Sequence, residues 1–577
     1  MTIAAIIAGI GLFLWLVFGL GLPWVVASRR FDPVENLALG ATAGVLLIYI
    51  FAWIVYWTGL PGTAFVVLPG LALLLSGWRY RSLKVFLRDA DVRSLLGRQL
   101  LFTSWCVGWL ALVRSYGGGE WSADWQEHYE RARFFLDRQP LETTFLGLYT
   151  LPARPPLANL AEGALMALSG ADFAHFQLFN TLFCTLVWLP AALLVRHFAR
   201  GRPGSEAILL PLLMLNPMVL QNETFAWTKL FAGVFILLAV ALYVRGLSEA
   251  NPRRRTLAIG AIAAALLTHY SSAPYAAGLA AAQLIFLWKH RTRAAVWREL
   301  AVQALVAAGV LGTWIVWSVQ AYGIPGTFSS STTGAPNLAL DDWIACRLWN
   351  AFVTFVPHPL RPMDYRFLAQ TSSLGYVHDY VFTIYQTTLP GALGLGGLIL
   401  LGWSISHRRR PSEQAAERWF WRGFTPWVIL LGIGTAYWRD RWGVAHIGLS
   451  PLVIVGLTWL AVRFEEAPTR VRRLWLAALA IDVLLGIVLH IHLQATMHLA
   501  PTAPAALLRG QVLEFSPVAT KNMLLQLVLG YRFVGDGGPA AALIVALLAL
   551  LLIMAARQAV RRLAASSPPN PTPHAPA

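Results

Sequence analysis

The chain has 577 residues, of which 57% are hydrophobic and only 13% charged, with a mean hydropathy of +0.58. That composition excludes an ordinary soluble enzyme, a disordered chain and a disulfide scaffold, and calls for a solvent that accepts apolar surface on every side. The net charge of +17 comes in short basic tracts between apolar segments, which fits membrane orientation and not nucleic-acid binding.

A spanning helix needs about 20 mostly apolar residues. Such segments run over residues 3–27, 36–59, 62–79, 100–115, 174–196, 206–222, 226–244, 256–269, 273–288, 300–321, 381–404, 420–437, 444–462, 474–493 and 539–556. The fold class expected is therefore an all-α polytopic membrane protein with about fifteen transmembrane helices. The apolar N-terminus lacks a basic lead and a small-residue cleavage site, so it reads as a retained span. Cys106 and Cys184 lie in or beside spans, Cys346 in a long loop, and three cysteines make no disulfide framework.

Loop charge sets the sides, because cytoplasmic loops carry the excess of Lys and Arg. The segment 79–98 holds Arg79, Arg81, Lys84, Arg88, Arg93 and Arg98 against Asp89 and Asp91. Arg253–Arg255, the tract 289–298, Arg408–Arg410, the tract 463–473 and Arg557 with Arg561 and Arg562 fall on the same side. The alternating loops are poor in basic residues. The expectation is an N-terminus outside, a C-terminus in the cytoplasm, and an integral protein of a bacterial inner or plasma membrane. Long outer segments are 116–173, 322–380 and 494–538, and 563–577 reads as a disordered tail. There is no nucleotide-binding loop, zinc spacing or fixed-period repeat, and no large cytoplasmic domain. Chemistry belongs on the outer face, where neither ATP nor a nucleotide sugar is available.

In the first outer loop, Gly117–Gly119 release the chain and a helix is predicted from Asp124 to Leu136. Asp124, His128 and Arg131 share one face of it, with Phe134 and Phe135 supplying an apolar side, as in a helix lying along the membrane surface. Two readings of Asp124 stand open. It is a general base for an acceptor hydroxyl, with His128 and Arg131 tuning its pKa or holding a phosphate, or it is an acid favoured at a helix N-terminus. Further on, Pro155 and Pro156 hold the backbone extended and place Arg154 just before a new helix. Its guanidinium either forks onto phosphate oxygens or sits in a structural turn.

Asp124-Trp125-Gln126-Glu127-His128-Tyr129, then Arg154-Pro155-Pro156-Leu157 and a helix to Gly170, resembles the C-type glycosyltransferases. The similar group contains the protein O-mannosyltransferases and the lipid A aminoarabinose transferases. Asn216-Pro217-Met218 and Leu266-Leu267-Thr268-His269-Tyr270 resemble the family's next two outer loops. The resemblance covers roughly residues 100–321 as a catalytic core. It leaves 1–99 as an N-terminal addition and 322–562 as the variable region. The chain departs where the family commonly has an acid and a lysine: Lys229 and His269 stand there, with Glu223 near the first. Trp125 follows the first acid, so a two-carboxylate metal site is not evident, no cofactor is called for, and a divalent metal stays open.

The resemblance implies a sugar donor linked to polyprenyl phosphate and an acceptor that is a glycan, lipid or protein, alongside membrane lipids. It implies an inverting displacement with Asp124 as base. Cations would stabilise the departing phosphate as charge develops on it. Arg154 and His269 are carried over for that role; Lys229 is a candidate by position. Arg439 and Arg441, in the tight outer loop Trp438–Trp442, either meet a phosphate or pair with Asp440 between anchoring tryptophans. His128, Tyr129, Arg131, Glu223 and Tyr270 are supporting or acceptor-contact candidates. Tyr365, Tyr376, His378 and Tyr380 are candidates to stack on sugars. Two other readings compete: a transporter or flippase for lipid-linked sugar, and a non-catalytic assembly subunit.

Overall fold

In the computed structural model, the described residues are 1–27, 31–112, 124–145, 149–199, 204–292, 294–330, 339–356, 381, 384–386, 388–407, 426–427, 429–430, 446–489 and 538–565. Within them the chain is helical. The expected span 420–437 falls largely outside them. So do the loops 357–380, 438–442 and 494–537, with Tyr365, Tyr376, His378, Tyr380, Arg439 and Arg441, and residues 566–577.

The helices are α1 (Ile3–Val26), α2 (Pro33–Thr58), α3 (Val67–Trp78), α4 (Tyr80–Arg88), α5 (Ala90–Leu110), α6 (Asp124–Asp137), α7 (Leu157–Ser169), α8 (Phe173–Thr185), α9 (Trp188–Ala199), α10 (Ser205–Met214), α11 (Pro217–Thr224) and α12 (Thr228–Ser248). They continue with α13 (Pro252–Thr268), α14 (Ala273–Lys289), α15 (Ala294–Ser329), α16 (Leu340–Phe355), α17 (Leu389–Ser406), α18 (His446–Glu466), α19 (Thr469–Asp482) and α20 (Gly538–Ala565). Among the described residues eight helices are long and apolar enough to cross a membrane, or nine if the bent pair Gly62–Trp78 and Tyr80–Arg88 counts as one.

Fifteen or so were expected over the whole chain, and within the described residues several of the expected spans differ from single continuous helices for local reasons. The stretch 206–222 is not one continuous helix: α10 ends at Met214, and Pro217 opens a separate short helix capped by the Asn216 side chain, which accepts from Val219 N. The stretch 62–79 begins as a 3₁₀ turn, Gly62–Val66, and then bends by 80° into α4. The span expected at 100–115 starts earlier, at Ala90, where Asp89 caps the helix by accepting from Asp91 N and Val92 N. The first outer loop is also less external than expected. Its α7 buries Leu157 through Met166 inside the bundle. Cys346 is buried in α16.

Helix α1 packs on the bundle, where a Cβ on Gly9 would stand 2.7 Å from the Leu178 side chain of α8. Gly21 of α1 meets Gly40 and Gly44 of α2 so closely that a Cβ on Gly21 would strike the α2 backbone. This is the close approach that small residues four apart allow between membrane helices.

Polar contacts join segments that loop charge assigns to one side. At the basic end Arg98 pairs with Glu206 (2.6 Å) and Arg196 with Asp91 (3.2 Å). There too Arg254 pairs with Glu35 (2.7 Å), Arg245 with Asp32 (2.6 Å) and Arg255 with Glu299 (2.6 Å). At the other end Arg138 donates to Gly59 O (2.7 Å), Tyr322 to Leu141 O (3.0 Å) and Gln386 to Gln221 (2.8 Å).

Candidate functional site

Helix α6 opens at Asp124, as predicted, and runs to Asp137. Its inward face carries charge. Glu127, His128 and Arg131 are buried beside Ala132, Phe134 and Phe135. The helix packs on α7, where Gly163 lies against Ala132 O and the Leu136 side chain. It is thus held by protein along the face expected to be its most polar.

A charge is not buried without partners, and here the partners come from one turn. Arg131 donates to Glu127 Oε1 from Nε (3.0 Å) and Nη2 (2.8 Å), to Leu151 O from Nη1 (2.6 Å) and to Thr150 O from Nη2 (3.1 Å). Its side chain is wholly enclosed, and its guanidinium stands over the Phe145 ring at 4.2 Å. Arg131 therefore clamps the turn Leu151–Ala153, and the next residue of that turn is Arg154. The Arg154 backbone is extended (φ −132°, ψ 143°), as the two prolines imply. Its Nη2 donates to Glu127 Oε2 at 3.3 Å, and its side chain keeps 12% exposure. One carboxylate thus bridges two guanidinium groups, the Arg131 side chain fully enclosed and the Arg154 side chain slightly exposed. Burial raises the Glu127 carboxyl, but Arg154, Arg131 and their neighbours outweigh it and hold it below its ordinary value.

His128 sits beside this pair. Its Nδ1 meets Asn159 Oδ1 of α7 at 3.3 Å and its Nε2 meets the Thr228 hydroxyl at 3.4 Å. An amide oxygen only accepts, so Nδ1 carries the proton and Nε2 accepts from Thr228. Burial pushes the imidazole down to about 3; Glu127 and Asn159 work against this, and Arg154 and Arg131 with it. His128 is therefore a neutral hydrogen-bonding group and not a cation.

Two further turns close on the cluster. Tyr270 donates to Pro152 O (3.3 Å) and accepts from Trp314 Nε1 (3.4 Å), and burial raises its phenol. His269 accepts from Ser271 N at 3.0 Å through Nδ1, and its ring centroid is 6.4 Å from that of His128. Lys229 follows Thr228 at the start of α12, its Nζ 3.5 Å above the Trp227 ring. His128, Arg131, Arg154, His269 and Tyr270 are thus brought together, with Lys229 next to a residue that touches His128.

Two other candidates face elsewhere. Tyr129 donates to Ala171 O (3.1 Å) and packs its ring on Phe173 and Phe176. The Glu223 backbone carbonyl accepts from Thr181 at 2.6 Å. Its carboxyl is fully buried, and neither oxygen has a hydrogen-bond partner among the described residues. Asp124 lies one helical turn ahead of Glu127 and His128, and only its backbone place is described. Among the described residues no three His, Cys, Asp or Glu side chains converge as metal ligands do. Glu127, Asn159 and Thr228 escaped the sequence reading. Each makes a contact in the cluster with a partner at least 27 residues away.

No family model matches the chain, and no curated protein matches it. Among solved structures, it is similar to the crystal structure of ArnT from Cupriavidus metallidurans bound to undecaprenyl phosphate, at 16% identity over 82% of this chain and 79% of that one, with a TM-score of 0.44. It is likewise similar to the apo crystal structure of ArnT from the same organism, at 16% identity over 82% of this chain and 77% of that one, with a TM-score of 0.46.

Proposed function

We propose that this chain is a membrane glycosyltransferase that moves a sugar from a polyprenyl-phosphate donor to an acceptor hydroxyl at the end of the bundle away from the basic loops. One observation carries the reading. Arg154, the residue that the family resemblance assigns to the donor phosphate, is fixed by a buried carboxylate and a clamped turn while its side chain keeps 12% exposure. A cation held in place before the reaction begins stabilises charge that develops in the transition state without reorganising.

In this reading the acceptor hydroxyl attacks the anomeric carbon. The bond from that carbon to the phosphate oxygen breaks, and the electron pair leaves with the phosphate. The hydroxyl proton passes to the Asp124 carboxylate, at the mouth of α6. Arg154 receives the phosphate. Lys229, His269, Arg439 and Arg441 are further candidates for that role, and Arg131 and Glu127 position Arg154. The nature of the acceptor, whether glycan, lipid or protein, is left to assay.

The test is reconstitution of the purified chain in vesicles with a polyprenyl-phosphate hexose or pentose and candidate acceptors, followed by mass spectrometry of the lipid. Transfer converts the donor into free polyprenyl phosphate in wild type and not in Asp124→Asn. A donor that only changes leaflet, with its mass intact, would make the chain a flippase and end this reading.

A further inference from the structure

Helix α4 is a second surface with chemistry of its own. It leaves α3 at 80°, at the end of the bundle that carries the basic loops. With Gly62–Trp78 as a membrane-crossing segment, a helix that leaves it at 80° lies close to the membrane plane. Nine residues, Tyr-Arg-Ser-Leu-Lys-Val-Phe-Leu-Arg, divide it into two faces. Phe86 is buried against the bundle. Arg81, Lys84 and Arg88, spaced i, i+3 and i+7, form one stripe on the opposite side. Exposed apolar side chains border the stripe: Tyr80 and Leu87 on one flank, Val85 on the other.

The neighbourhood fixes the depth. Trp24, near the end of α1, and Trp78, at the end of α3, stand edge to face at 6.1 Å and are both exposed. Paired tryptophans of this kind sit at the headgroup level. Arg79 stacks over Trp78 at 3.8 Å, and its Nε has no hydrogen-bond partner among the described residues.

The cations of α4 also differ from the arginines of this end that are paired inside the bundle. Arg98, Arg196, Arg245, Arg254 and Arg255 each bridge to a carboxylate. Arg81 and Arg88 have no ion pair or hydrogen bond among the described residues, and Lys84 has only the Tyr80 ring, at 5.7 Å. The acids nearest in sequence are committed elsewhere: Asp89 caps α5 and Asp91 pairs with Arg196.

We propose that α4 is a binding surface for anionic phospholipid, with Arg81, Lys84 and Arg88 on the headgroups and Tyr80, Val85 and Leu87 at the acyl boundary. Basic residues flanked by apolar ones on an in-plane helix hold such lipids through charge and burial together. The site is independent of sugar transfer.

The test uses the full chain in neutral detergent, titrated with phosphatidylglycerol or with phosphatidylcholine of the same acyl length, and native mass spectrometry to count bound lipid. Wild type is expected to take up phosphatidylglycerol in preference. R81Q/K84Q/R88Q is expected to bind it about 100-fold more weakly, at roughly tenfold per 1.4 kcal/mol and about 1 kcal/mol for each cation. R253Q/K289Q/R291Q removes as much charge from the same end and is expected to keep wild-type binding. Equal uptake of the two lipids by wild type overturns the proposal without any variant. So does an equal loss of binding in both triple variants.

Discussion

Glu127 and Arg131 lie one helical turn apart on α6 with both side chains fully enclosed, and the carboxylate that receives Arg131 at 2.8 Å also receives Arg154 at 3.3 Å. Removing one partner of a buried ion pair leaves a charge without compensation and costs about 3–5 kcal/mol. Glu127→Gln is expected to lower thermal stability by several degrees or more and to reduce transfer. Arg154→Lys, which keeps the charge but not the fork, is expected to cost less stability. Melting curves of the three proteins in one detergent check the order.

Arg154 is expected to act on the donor. Arg154→Ala should impair use of the lipid-linked sugar more than use of the acceptor, because the guanidinium is assigned to the phosphate. Steady-state kinetics with each substrate varied in turn measure the difference. Equal effects on both would reduce Arg154 to a structural part of its turn.

Asp124 is the proposed acceptor of the hydroxyl proton. Asp124→Asn is expected to lower turnover by about 10²–10⁴-fold, the usual worth of a positioned general base, with expression and donor binding intact. Near-normal turnover would take Asp124 out of the mechanism and leave it as an acid at a helix N-terminus.

His128 gives the site an acid limit. Its folded-state value, about 3, lies below its ordinary 6.5. The fold therefore favours the neutral ring. The stability this gives is complete above pH 6.5 and falls as pH drops from there toward 3, where the unfolded chain binds the proton and the folded one does not. Glu127, also held low, loses its contribution in the same direction. Melting temperature is expected to fall between pH 7 and pH 5 in wild type and to fall less in His128→Gln. Parallel curves would show that this ring does not set the slope.

The helix opening at Asp124 and the extended Arg154 were legible from local chemistry: glycines before the helix, two prolines after the arginine. The Glu127 role was not. One acid among eight in an outer loop reads as solvated, and only the fold brings it against residue 154. The burial of α7 was hidden for a similar reason, since thirteen residues are too few to announce a span. The break between α10 and α11 was signalled by Asn216-Pro217, and apolar content on both sides masked it.

A second break lies inside α17, and it too makes a prediction. Gly394 has φ 75° and ψ 166°, so the helix is interrupted there. An interrupted helix within a span must satisfy its freed backbone groups from elsewhere. Asp482, at the end of α19, accepts from Leu395 N and Gly396 N, each at 3.0 Å, and Asn216 donates to Ala392 O at 2.9 Å. A Cβ at Gly394 would stand 2.7 Å from Asp482 Oδ2 and would force an L residue into a region it rarely adopts. Gly394→Ala is therefore expected to cost more than the roughly 1–3 kcal/mol of backbone strain alone. Asp482→Ala, which leaves the buried Gly396 N–H and the part-buried Leu395 N–H without an acceptor, is expected to be of similar severity. The double variant is expected to fall short of the sum, because the alanine at 482 removes the clash that the alanine at 394 creates. Additive losses in the melting temperatures of the three variants would mean that the carboxylate and the glycine act apart.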